Sequence, residues 1–127
     1  MKKYIGTRDE KGDAHVFVID EHHEAKRLLE PGLRHVCHSP TGFAWGYLGF
    51  AWGYLGSGPA QLAFAILLDY FGDADRAKAL YQSFKFAVIA DLPMDQPWEI
   101  TSDEISTLLE TIGARLHIVE ASCRDIT

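Results

Sequence analysis

The stretch "GSGPAQLAFAILLDYFG", residues 56–72, places the hardest condition on the fold. Ser57 stands where a helix cap belongs, and Pro59 falls in the first turn, where a missing amide is no loss. Gly72 stands where a helix stops. Between these signals the segment is apolar on nearly every face. Such a helix has to be enclosed by other elements, so the remainder of the chain must wrap around it. Its longest apolar run, "LAFAILL" from Leu62, is far too short to span a bilayer, which argues against membrane insertion.

The wrapping elements follow from local pattern. "KYIGTR", the polar turn "DEKGD" and the β-branched and aromatic "AHVFVID" read as a hairpin. "EHHEAKRLLEPG" predicts a short helix that stops at Pro31 and Gly32, "LRHVCH" a third strand, and "SPTG" a turn. After Gly72, Asp73 caps a second helix in which Ala77, Leu80, Phe84 and Val88 recur at helical spacing. "DLPMDQP" is a loop and "WEI" is extended. Thr101 and Glu104 stand at capping-box spacing before a third helix that Gly113 ends, and Leu116 to Val119 read as a last strand. The expected fold is α+β: a small antiparallel sheet packed against two or three helices, in one domain over residues 1–127. A chain of this length buries about two-thirds of its unfolded surface, enough for one core.

Immediately before the central helix the heptapeptide FAWGYLG occurs twice, as Phe43 to Gly49 and Phe50 to Gly56. Seven is odd, so in one continuous strand Phe43, Trp45 and Tyr47 would face one side and Phe50, Trp52 and Tyr54 the other. In a helix the copies stay nearly in phase, but Gly46, Gly49, Gly53 and Gly56 each cost about 1 kcal/mol there relative to alanine. Solenoid repeats are longer and need about three units. The pattern therefore reads as a tandem duplication in which one copy keeps the original place. Deleting either copy leaves the same sequence, "SPTGFAWGYLGSGP".

"HSPTGFAWGY", "GSGPAQLAFAILLDY", "LYQSFKFAVIADLP" and "WEITSDEI" resemble a family of small bacterial and phage proteins of unknown function. There the segment usually appears once, as G-F-x-W-G-Y-x-G-S-G-P. The resemblance spans roughly residues 38 to 105 and implies the biology of phages or mobile elements. It brings no activity, cofactor or catalytic residue with it.

The remaining chemistry is sparse. Gly56, Ser57 and Gly58 open a helix, where free amides and the dipole favour an anion, and Trp52 and Tyr54 offer a base to stack on. No Walker lysine or dinucleotide fingerprint accompanies them. His22, His23, His35, Cys37 and His38 are metal-binding types, but the spacing is not that of a zinc set, and they read as strand histidines. Cys37 as nucleophile and Ser57 as a hydrolase serine lack their supporting motifs. Asp73, Asp75, Asp103 and Glu104 lie at helix starts, where capping explains them. No catalytic residue, metal or cofactor is expected.

A net charge of -6 argues against broad nucleic-acid binding. Cys37 and Cys123 are too few for a disulfide scaffold, and the start MKKYIGTRDE leads into no apolar leader, so a cytoplasmic chain with free thiols is expected. The functional expectation is a non-enzymatic binding protein whose surface at Phe43, Trp45 and Tyr47 meets a protein partner, with some self-association. The alternative is a nucleotide or other anion held at the helix start by Trp52, Tyr54, Gly56, Ser57 and Gly58. Deleting Phe43 to Gly49 should leave a folded protein of equal or higher thermal stability, because both junctions survive. A marked drop in its melting temperature would show that both copies are structural.

Overall fold

The computed structural model describes residues 2–21, 25–39 and 49–112. The predicted hairpin is present as β1 (Lys2–Arg8) and β2 (Ala14–Asp20), antiparallel and in register from Lys2 opposite Asp20 to Arg8 opposite Ala14. Its turn is held by Asp9, whose carboxylate accepts from the amides of Lys11 and Asp13. A third strand, β3 (Ala25–Leu28), pairs antiparallel with β2. The other edge is β4 (Trp98–Thr101), antiparallel to β1, so the spatial order is β3-β2-β1-β4.

Two expectations fail in this region. The segment around Ala25–Leu28 is a strand where a helix was predicted. Its backbone is satisfied by the open edge of β2, and the pairing continues past the strand through the Leu29 amide to Val16 O at 2.8 Å. The segment "LRHVCH" is a turn and irregular chain, not a strand: His35 and Val36 both donate to Gly32 O. A Pro-Gly stop and short alternation are local signals, and tertiary pairing overrides both.

The sheet alternates as a one-sided sheet should. Tyr4 and Gly6, Val16 and Val18, and Trp98 and Ile100 are buried, and register aligns them into two rows, Val18–Tyr4–Ile100 and Val16–Gly6–Trp98. Onto this face packs α1 (Ser57–Phe71), in which every residue from Gly58 to Leu67 is buried. The enclosing layer is completed by α2 (Ala74–Ala87), a single 3-10 turn (Ile89–Asp91) and α3 (102–112), which contribute Ala77, Phe84, Ile89, Ile105 and Ile112 to the same core. The α+β class is as expected.

The helix ends show where local chemistry sufficed. Gly72 closes α1 in the left-handed conformation, φ 66°, with its amide on Leu68 O. Asp73 caps α2 by accepting from the amides of Asp75 and Arg76. Thr101 accepts from the Glu104 amide at 3.2 Å, which is half of the expected box. At the start of α1 the expectation is corrected: the cap position is Gly56, in extended conformation, and no side chain caps the helix. Gly113, Leu116 to Val119 and Cys123 lie outside the described residues.

A polar clamp joins helix to sheet. Asp69, on the last full turn of α1, accepts from the Tyr4 hydroxyl at 2.7 Å, from Lys2 Nζ at 3.4 Å and from Arg27. Burial pushes its carboxyl up, but the Tyr4 hydroxyl, Arg27 and Lys2 outweigh this and hold it below the ordinary carboxylate range. Burial, followed by the Asp69 bond, raises the Tyr4 hydroxyl in turn, so it stays protonated and donates.

Two outcomes follow from this architecture. Leu67→Ala, at a position with no exposure, should cost about 2 to 5 kcal/mol through lost burial and a residual cavity. A cost under about 1 kcal/mol in denaturant titration would misplace the core helix. Because the folded pKa of Asp69 is depressed, its contribution is full above the unfolded value near 3.8 and is lost as pH falls through the folded value. The stability gap between wild type and Asp69→Asn should therefore be constant at neutral pH and shrink below about pH 4. A gap that persists unchanged to about pH 2.5, well below the ordinary carboxylate range, contradicts that account.

Candidate functional site

Residues 49–58 cross from the sheet side to the start of α1, and their anchoring decides what they offer. Trp52 has no exposed surface. Its ring meets Trp98 edge to face at 5.6 Å between centroids and 85° between planes, and the Arg8 guanidinium lies 4.7 Å from the ring centroid. Arg8 is itself fixed, donating to Met94 O at 3.1 Å and to Gly12 O at 2.9 Å. Trp98 has room because its neighbour on β1 is Gly6: a Cβ there would lie 2.2 Å from the indole. Both indole N–H groups are buried without a hydrogen-bond partner, so packing and the cation hold the pair.

The next residue explains the Trp-Gly-Tyr order. Gly53 has φ 87°, its amide donates to Ile89 O at 3.0 Å, and a Cβ would sit 2.7 Å from Met94 Cα. Glycine alone fits this backbone-to-backbone approach. The chain then turns outward: Tyr54 is 43% exposed and Leu55 53%, and Met94, against which Gly53 packs, is 46% exposed. The Tyr54 ring packs over Gly56, and Ala51 packs over Gly58, which is buried. Ser57 is exposed.

The structure thus separates the predicted ligand residues. Trp52 belongs to the core and has no face open to a base, whereas Tyr54, Gly56 and Ser57 share the surface at the helix start. Phe43, Trp45 and Tyr47 lie outside the described residues. Sequence reasoning missed Arg8 and Met94, which are 86 positions apart and meet only through the fold.

The histidine and cysteine segment has a different fate. His38 Nε2 is 2.9 Å from the Tyr81 hydroxyl, and its amide donates to Gln61 Oε1 at 2.8 Å. Burial, then the nearby Lys85 charge, lowers its pKa and favours the neutral ring. Cys37 is a free, half-buried thiol with Sγ 3.9 Å from Ser39 Oγ. His35 is exposed and lines a cavity of about 330 Å³ with Arg27, Glu30, Arg34 and Asp69. Among the described residues no three His, Cys, Asp or Glu side chains are grouped to hold a metal ion, and His22 and His23 lie outside them. Among the same residues no helix is long and apolar enough to cross a membrane.

No curated protein and no solved structure matches the chain. The model of a family of unknown function, DUF6166, matches residues 48–111, just over half of the chain. That span holds α1, α2, β4, most of α3 and the whole second heptapeptide, but only Leu48 and Gly49 of the first. The chain belongs to the DUF6166 family of unknown function.

Proposed function

We propose that this chain is a non-enzymatic binding protein of the cytoplasm that presents Tyr54, Leu55 and Met94 to a protein partner. The observation that carries the reading is the contrast within one short segment. Trp52 and Gly53 are locked against β4 and residues 89–94, while the next two side chains are turned into solvent and Met94, which meets Gly53, is exposed as well. A rigidly backed apolar surface loses little entropy on binding, and such groups supply contact area at protein interfaces. The flanking Asp91 and Asp95 are exposed, which suits a partner whose apolar pocket is edged by basic groups. A contribution of Phe43, Trp45 and Tyr47 to partner binding, and self-association through the spare aromatics, accompany the reading. The resemblance to phage and bacterial proteins supports a partner in a host cell.

A second reading rests on the helix start. The first-turn amides of Ser57 and Gly58 have no side-chain cap, and the exposed Tyr54 ring packs beside them, so a nucleotide phosphate and base would find adjacent groups. Trp52 contributes no stacking in this arrangement because it is buried.

One set of proteins separates the two. Capture from host extract by the wild type should retain a partner that Tyr54→Ser/Leu55→Ser/Met94→Ser loses by tenfold or more, with the unfolding midpoint unchanged. Equal retention by both proteins removes the interaction surface. Titration with mono-, di- and cyclic nucleotides should move the Ser57 and Gly58 amide resonances if the helix start holds an anion. Silence at millimolar nucleotide removes that reading for the ligands tried.

A further inference from the structure

The cavity of about 330 Å³ beside the last two turns of α1 shares no residue with the Tyr54, Leu55 and Met94 surface. Its apolar lining is Leu29, Ala65 and Leu68. The charges around it are not equivalent. Asp69 is already engaged, one oxygen with Arg27 and the other with Tyr4 and Lys2. Glu30 and Arg34 are different: both are exposed, both line the cavity, and among the described residues neither side chain has an ion pair.

Opposite charges four positions apart would ordinarily satisfy each other, but here the backbone between them is pinned. Gln61 Nε2 holds both Pro31 O and Val36 O, and the His35 and Val36 amides close onto Gly32 O. Arg34 stands inside this turn and Glu30 just before it. A carboxylate and a guanidinium are thus offered separately around one apolar wall, and a site fixed before its ligand arrives loses little entropy on binding. A simple carboxylate would leave Glu30 facing it, and a simple amine would leave Arg34. A molecule carrying both charges on one carbon satisfies both groups.

We infer that this cavity holds a free α-amino acid with an apolar side chain. The planar fork of Arg34 and the adjacent His35 take its carboxylate, Glu30 takes its ammonium, and Leu29, Ala65 and Leu68 receive its side chain. Gly72 brings the carbonyl end of α1 to the same wall, where the helix dipole favours the ammonium. The volume is at the lower end of ligand pockets, which start at about 300 Å³ and so suits a small ligand.

Leucine, isoleucine, valine and methionine are titrated into the full chain while amide resonances are recorded. N-acetylleucine, which lacks the ammonium, and leucinamide, which lacks the carboxylate, are compared with leucine. The amino acids should move the His35, Ala65 and Leu68 amides, and each blocked analogue should bind about threefold more weakly, or worse. Glu30→Gln should remove the preference for leucine over N-acetylleucine, and Arg34→Gln the preference over leucinamide, both with unchanged denaturant midpoints. Silence with all four amino acids at millimolar concentration overturns the inference. Equal binding of leucine and either blocked analogue overturns it too, on the unaltered chain and whether or not a variant folds. A folded variant that keeps the preference it should lose does the same.

Discussion

Gln61 has no exposed surface and stands about one turn into α1, the polar member of the buried run from Gly58 to Leu67. Its amide donates to Pro31 O at 2.6 Å and Val36 O at 2.9 Å, and its carbonyl accepts from the His38 amide. Burying such a group without partners costs on the order of 1–3 kcal/mol, so the helix can be enclosed only if a strand-less stretch of chain supplies peptide groups at this point. That requirement explains why residues 31–38 form an irregular cover and no strand. Their peptide groups are drawn to one side chain. Gly32, at φ 71° and packed near Phe64 and Leu68, lets the cover lie down on α1.

The start of the helix is reached by the Trp-Gly-Tyr segment, and here the constraint is shape. Gly6 removes a side chain from the centre of the sheet, Trp98 fills that gap, Trp52 stands on Trp98, and Arg8 covers Trp52. The arrangement fixes Gly53 against residues 89–94 and so determines which of its neighbours face solvent. Core and candidate surface are one construction. The exposed Tyr54 and Leu55 are where they are because Trp52 is buried.

The sheet hairpin, the Gly72 end of α1, the Asp73 cap and the Thr101 start of α3 were all legible, because each depends on residues within one or two turns of each other. β3 was not. Lys26 and Arg27 in a charged run look helical until an open β2 edge is available, and Arg27 then reaches Asp69, 42 positions away. The candidate site was half legible. The aromatic and glycine-rich segment announced itself, but an irregular loop has no period from which inward and outward positions are read.

By itself the sequence determined that a helix apolar on all sides must be enclosed, that one-sided strands were present to enclose it, and that the glycine-rich heptapeptide would be neither helix nor simple strand. These are matters of periodicity, capping and backbone freedom, all local. Only the tertiary structure decided that Trp52 is core while Tyr54 is surface, that Gln61 organises the chain at residues 31–38, and that Asp69 ties β1 and β3 to α1. Each of those depends on which distant backbone or side chain arrives at a given point in space. Burial and hydrogen-bond partners are properties of that meeting, not of either residue alone.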